Sequence, residues 1–221
     1  MTSKTPRHPV ALEQRGNGDD GRRYSPSTAR NREPIRDVFL AEELTTGDVV
    51  EIASGTGEHG AFLTDAFEGL NWTYSDIDAE SRASHAAWRG AAGHGRLHGP
   101  LEIDASTDDW GAAELQQWDL IVSMNMVHIS PFGATKGLLR GAGRLLKPGR
   151  YLFLYGPYAR DGEIAPSNAA FNDSLKSRNP DWGVRDLDRD LVPLAEQAGL
   201  MLHKVVPMPA NNLSVIFRRQ P

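Results

Sequence analysis

The 221-residue chain carries 24 Lys and Arg against 29 Asp and Glu, a net charge of −5, and no cysteine. An acidic surface repels a phosphate backbone, and the absence of thiols removes disulfides, thiolate metal sites and a cysteine nucleophile. No run reaches the ~20 apolar residues of a membrane span and no apolar h-region follows the first residues. The expectation is therefore one soluble, cytoplasmic domain that is a monomer or homodimer and works on a small molecule, without nucleic-acid or membrane partners.

Residues 1 to about 23 are polar and rich in Gly, Asp and Arg, with too little apolar surface to offset the entropy of ordering, and read as a mobile tail ahead of a single domain over 24–221. From Tyr24, Ser27 can cap a short helical turn and Pro34 can sit in the first turn of a following helix that carries Ile35, Val38, Phe39 and Leu44. Residues 49–53 then form a short buried strand that runs into Gly55-Thr56-Gly57-Glu58-His59-Gly60 and a helix. Glycine lets such a turn tighten and approach a ligand where a Cβ would clash, and the helix start presents unpaired N–H groups beside it.

The next strand spans 71–75 and ends at Asp76-Ile77-Asp78, followed by an alanine-rich helix over 79–92 with Trp88 on its apolar side. A third strand lies within 96–103, ending at Asp104-Ala105-Ser106, and a short helix follows around 112–117. Residues 118–124, Trp-Asp-Leu-Ile-Val-Ser-Met, give a nearly continuous apolar run, the pattern of a parallel strand covered on both faces. A helix over 132–146 stops at Lys147-Pro148-Gly149 and a fifth strand covers 150–155. Helices over 166–178 and 187–198 precede two final strands, 201–208 and 213–218, joined through Pro209-Ala210-Asn211-Asn212. Alternating strands and helices define an open α/β sheet with helices on both faces and a ligand at the carboxyl ends of its strands.

Those ends collect Gly55, Gly57, Asp76, Asp104 and Asn125, residues far apart in sequence. An ionised Asp76 can accept from both ribose hydroxyls, and Asp104 is placed to accept from an adenine amine; the competing reading of each is a helix N-cap. Glu51 lies inside an apolar strand, where an unpaired carboxylate is costly, so ligand contact or support of the glycine loop explains it better than stability does. His128 is the candidate base because imidazole ordinarily titrates near neutrality; a structural histidine is the alternative. Tyr158, Asn168, Asn172, Asn211 and Asn212 can line an acceptor pocket. Arg30 and Asn31 can clamp a cofactor carboxylate or close over the site, with a surface ion pair as the alternative for Arg30; Trp110 and Trp182 read as packing or lid residues, and the remaining histidines show no metal-ligand spacing.

With Glu51-x-Ala53-x-Gly55-x-Gly57, Asp76, Asp104 and Leu145-Leu-Lys-Pro-Gly149, the chain resembles the class I S-adenosylmethionine-dependent methyltransferases. Arg30-Asn-Arg-Glu-Pro-Ile35, Asn125-Met-Val-His-Ile-Ser-Pro131, Leu154-Tyr-Gly-Pro-Tyr158, Pro166-Ser-Asn168 and Pro209-Ala-Asn-Asn212 resemble, more closely, an uncharacterised methyltransferase-like family of bacteria and animals, over about 24–219. The resemblance implies a Rossmann-like, seven-stranded sheet of order 3-2-1-4-5-7-6 with the seventh strand antiparallel. It also implies that S-adenosylmethionine is the cofactor and S-adenosylhomocysteine the product. Glu51, Ala53, Ser54, Gly55 and Gly57 would lie near the methionine part, Asp76 and Ile77 at the ribose, Asp104 and Ala105 at the adenine, and Asn125 on the same rim. Ala53 departs from the class motif, which has glycine there. His128, Tyr158 and Asn168 are the catalytic candidates, and no metal is expected. Two other readings stay open: a nicotinamide-dependent oxidoreductase, because Gly55-x-Gly57-x-x-Gly60 also fits dinucleotide spacing, and a non-catalytic cofactor-binding protein.

Overall fold

A computed structural model describes residues 16–221. Its main sheet contains β1 (Thr46–Glu51), β2 (Gly69–Ser75), β3 (Leu97–Leu101), β4 (Trp118–Met124), β5 (Leu146–Ala159), β6 (Leu200–Met208) and β7 (Asn212–Arg219). They are ordered β3-β2-β1-β4-β5-β7-β6, the order the resemblance implies, with β7 antiparallel to both neighbours. A two-residue strand, Arg185–Asp186, adds to the end of β5. Every residue of β4 is buried, as its nearly continuous apolar run requires of a central strand.

The helices are α1 (Pro26–Ala41), α2 (Glu58–Ala66), α3 (Ala79–Ala91), α4 (Phe132–Leu145), α5 (Pro166–Arg178) and α6 (Val192–Gln197). Strand alternation sorts the core into two layers. Val50, Ile52, Ile121 and Leu154 pack under α4 and α6 on one face, and Val49, Val122, Phe153, Trp72 and Tyr74 pack under α1 and α2 on the other.

Two expectations change. The break at Pro34 is absent: α1 runs through it as one helix. Pro34 cannot donate to the Arg30 carbonyl, which weakens one turn, but Thr28, Asn31, Ile35, Val38 and Phe39 form a buried stripe at helical spacing that packing holds together across it. The tail, too, has an ordered end. Residues 1–15 lie outside the described residues, whereas Gly16–Asn17 pairs with Arg23–Tyr24 in a small hairpin docked on α3. The Arg23 N–H donates to Ser84 Oγ (2.9 Å), Tyr24 meets Trp88 edge-on at 5.3 Å, and the Arg22 guanidinium lies 4.7 Å over the Trp88 ring. Trp88 is half-buried, packs against the core and also receives the hairpin; these aromatic and cation–π contacts supply the apolar surface that the segment itself lacks.

Candidate active site

A cavity of about 650 Å³ opens at the carboxyl ends of β1, β4 and β5, within the size range of small-molecule sites. The first turns of α1 and the glycine loop line one side. One face of α5 and the turn at 209–212 line the other.

The glycine loop has the backbone its sequence requires. Gly55 and Gly57 have φ of +60° and +88°, a region open to glycine at little cost. Gly60 serves a different end: a Cβ there would stand 2.5 Å from the Trp72 and Tyr74 rings, so the third glycine lets α2 lie close on β2. Ala53, where the class motif has glycine, sits at φ +60°, a strained position for an L-residue.

Glu51 closes the floor. It is fully buried at the end of β1, its Oε2 accepts from Trp72 Nε1 (3.1 Å), and its Oε1 has no protein partner. Burial pushes its pKa up to about 8, against the lowering effects of the Trp72 indole and the Ser54 side chain. Beside it, Asn31 Oδ1 lies 2.9 Å from His59 Nε2, and burial takes His59 down to about 4.

Of the residues expected at the site, Arg30, Asn31, Glu51, Ala53, Ser54, Gly55, Asn125, His128 and Asn168 line this cavity. Gly57, Asp76, Ile77, Asp104, Ala105 and Tyr158 do not. Asp76 instead holds the loop: its Oδ2 accepts from the Gly55 N–H and its Oδ1 from the Asp78 N–H, both at 2.9 Å. The N-cap of α3 is Asp78, which accepts from the Ser81 N–H. Asp104 accepts from the N–H and hydroxyl of Ser106 in a local turn.

His128 does not titrate near neutrality. It is fully buried, and that burial, with Arg185 nearby, lowers its pKa to about 3. It is a neutral imidazole in which neither ring nitrogen has a protein partner. Tyr158 falls on the opposite face of β5, in the layer under α4, with its ring edge-on to His128 at 4.7 Å and its hydroxyl buried without a partner. Tyr155 and Pro157, one alternation away, face the cavity; period-two reading of the strand identifies Tyr155 in place of Tyr158.

On α5, Ser167, Asn168, Phe171, Ser174 and Arg178 line the cavity, at spacings that share one helical face. Asn168 is buried and its Nδ2 donates to the Asn211 carbonyl (2.9 Å), while Asn211 Nδ2 donates to Ser167 Oγ (2.9 Å). This ties α5 to the 209–212 turn, from which Asn212 also reaches the cavity. Asn172 is turned away and accepts from the Val184 N–H. Trp110 is core, and no His, Cys, Asp or Glu cluster among the described residues could hold a metal. Nor is any described helix long and apolar enough to cross a membrane.

The fold is that of S-adenosylmethionine-dependent methyltransferases. Human N-acetylserotonin methyltransferase, solved in complex with SAM, superposes with a TM-score of 0.72 at 15% identity, over 88% of this chain and 53% of its own. The mitomycin 7-O-methyltransferase MmcR gives 0.71 at 19% identity, over 86% and 54%. The pyocyanin biosynthetic protein PhzM gives 0.70 at 11%, over 87% and 56%. The chain thus spans little more than half the length of these proteins. Within that fold it belongs to the family described as "Protein of unknown function (DUF938)", matched over residues 22–219.

Proposed function

We propose that the chain is an S-adenosylmethionine-dependent methyltransferase acting on a small molecule. The observation that carries this reading is the polar complement of one cavity: the buried Glu51 Oε1 without a protein partner, beside the Gly55 loop and Arg30. Such a set suits a ligand with both cationic and carboxylate groups, because a bound cation draws the proton off Glu51 and satisfies its orphaned oxygen, and a guanidinium pairs with the carboxylate. Bound S-adenosylmethionine supplies a sulfonium methyl that passes in line to the acceptor nucleophile, while the electron pair of the broken C–S bond stays on sulfur.

In this reading Arg30 and Asn31 hold the cofactor carboxylate, and Ala53, Ser54, Gly55, Gly57 and Asn125 shape the rim. Asp76 serves the site by holding the Gly55 loop, and Ile77, Asp104 and Ala105 lie outside the cavity lining. The chain's contribution to the reaction is alignment. His128, neutral throughout the physiological range, orients the acceptor by hydrogen bonding, Asn168 fixes the facing wall, and Tyr158 braces the His128 ring from behind. The acceptor arrives ionised or gives its proton to solvent.

The nicotinamide reading loses its support on two counts. The third glycine is accounted for by helix packing, and the sheet ends in an antiparallel β6–β7 pair instead of the parallel sixth strand of dinucleotide folds. Calorimetry with S-adenosylhomocysteine and with NAD tests the choice. Saturable heat with the first and none with the second is expected, and the reverse, or silence with both, overturns the proposal. Binding without turnover over a broad panel of small acceptors would leave a cofactor-binding protein instead of an enzyme.

A further inference from the structure

The glycine loop rests on α3, and three of its carbonyls are met by side chains from outside it. His85 Nε2 lies 3.0 Å from the Gly55 carbonyl, Ser84 Oγ donates to that of Thr56 (2.7 Å), and the Tyr74 hydroxyl donates to that of Gly57 (2.8 Å). A Cβ at Gly57 would stand 3.0 Å from both His85 and Trp88, so the loop lies directly against this helix. The Thr56–Gly57 peptide is held on both edges, because the Gly57 N–H also donates to the Ser54 carbonyl (3.0 Å). A planar peptide gripped at its C=O and its N–H is fixed in orientation, and that orientation sets the positive φ of Gly57.

Ser84 is where this grip meets the hairpin at 16–24. A serine inside a helix commonly bonds back to a carbonyl of the preceding turn. Ser84 is buried and reaches out of α3 instead: it donates to Thr56 and accepts from the Arg23 N–H of the hairpin (2.9 Å). With its lone pair taken by Arg23, the hydroxyl proton is left for the loop. Next to it Trp88 Nε1 donates to the Arg23 carbonyl (3.3 Å), beneath the Tyr24 and Arg22 side chains. One residue further, the Ser25 N–H donates to the Glu58 carboxylate, which also accepts from Thr56 Oγ1, and Ser25, Ser27 and Thr28 line the cavity. Hairpin, Ser84 and loop thus form one hydrogen-bonded chain that runs from the protein surface to the wall of the site.

We propose, resting on the methyltransferase reading above, that Ser84 is a positioning residue for the cofactor and that the hairpin is its latch. Docked, the hairpin directs the Ser84 hydroxyl to Thr56 and brings Ser25, Ser27 and Thr28 to the cavity; undocked, it releases both. A cofactor seated on the loop therefore tightens the hairpin, and the docked hairpin tightens the cofactor by the same factor.

Trypsin cleavage after Arg22 and Arg23 of the full chain, followed by mass spectrometry, reads the latch, and calorimetry with S-adenosylhomocysteine reads the site. In wild type, saturating S-adenosylhomocysteine should slow that cleavage by at least about fivefold. Ser84→Ala should weaken S-adenosylhomocysteine by about tenfold and cut the protection to less than about twofold when the ligand is again saturating. Arg22→Ala with Tyr24→Ala, which loosens the hairpin without touching the core, should weaken binding by about fivefold. Adding Ser84→Ala to that pair should cost no more than about twofold beyond Ser84→Ala alone, because the residues act through one path. A merely structural Ser84 would lower the melting temperature and leave affinity within about twofold of wild type. That outcome, losses that multiply in the combined variant, or cleavage at the same rate with and without ligand overturns the inference. If Ser84→Ala does not fold, the hairpin pair and the wild-type cleavage decide it. Failure of S-adenosylhomocysteine to bind wild type overturns the methyltransferase reading and the latch together, whereas binding that leaves hairpin cleavage unchanged overturns the latch alone.

Discussion

Glu51 and Asp119 are buried carboxyl groups on the adjacent parallel strands β1 and β4, and the two ends of the sheet treat them in opposite ways. At the amino end, Asp119 receives Lys147 Nζ (2.8 Å), Arg150 Nε (3.2 Å) and the Asp48 N–H (3.0 Å). Burial raises its pKa, but these partners outweigh burial and hold it below the ordinary carboxylate value. At the carboxyl end, Glu51 has one indole N–H and one orphaned oxygen, and its pKa rises to about 8. The sheet satisfies the acid that holds it together and leaves unsatisfied the acid that faces a cavity. A buried acid left half-satisfied beside a cavity is the kind of group that the proposed function puts to use.

The strongest way to break this contrast is Glu51→Gln, which keeps the shape and removes the charge that a bound cation would draw out of the acid. Affinity for S-adenosylhomocysteine should fall by about 10- to 100-fold in calorimetry, the loss of a charge-assisted contact. Stability should move the other way. The native Glu51 binds its proton up to about pH 8, whereas a glutamate in the unfolded chain releases it near its ordinary value of 4.5. Wild-type stability therefore falls as pH rises through that window. Denaturant unfolding at alkaline pH should find Glu51→Gln more stable than wild type by a few kcal/mol, with the gain vanishing in acid. A variant that binds normally, or that is less stable at alkaline pH, would show that Glu51 is structural.

Asp119→Asn probes the other end. Lys147 and Arg150 are 40% and 50% exposed, so screening reduces the value of the pairs and the expected cost is about 1–2 kcal/mol at neutral pH. The sign follows from the depressed pKa: the stabilisation is present above the unfolded value of 3.8 and is lost as pH falls through the folded one. Wild type and variant should converge in strong acid, and S-adenosylhomocysteine affinity should be unchanged. A binding defect in Asp119→Asn would mean that the two ends are coupled.

The sequence disclosed the sheet and the glycine-loop side of the cavity because both are written in local, periodic signals. The apolar run of β4, the glycine spacing after β1 and a lone acid in an apolar strand each point to one physical cause. What it concealed depends on tertiary surroundings. His128 has an unremarkable local sequence, and only its complete burial beside Arg185 removes it from neutral titration. Pro34 is a helix breaker by local rule, overridden by a stripe that α1 packs onto the sheet. Tyr155 and Tyr158 are both aromatic and near a strand end, and the alternation of β5 that separates them could have been applied. Arg178 carried no motif at all. Its place on the cavity face follows once Ser167, Asn168, Phe171 and Ser174 are known to face inward, which requires the position of α5.

The smallest effect sharpens the contrast most finely. Ala53 follows Glu51 by two residues and holds φ at +60°, where an L-residue bears about 1–2 kcal/mol of strain. Ala53→Gly relieves that strain but frees the unfolded chain, which takes back about 0.4–1 kcal/mol. The net should be a stabilisation of less than about 1 kcal/mol in denaturant unfolding. If the strain is only local, S-adenosylhomocysteine affinity will not change, since both residues leave the loop open. If affinity falls instead, the alanine has been holding the loop in its binding shape. The carboxyl end of the sheet would then store its cost in the backbone at Ala53 as well as in the unpaired oxygen of Glu51.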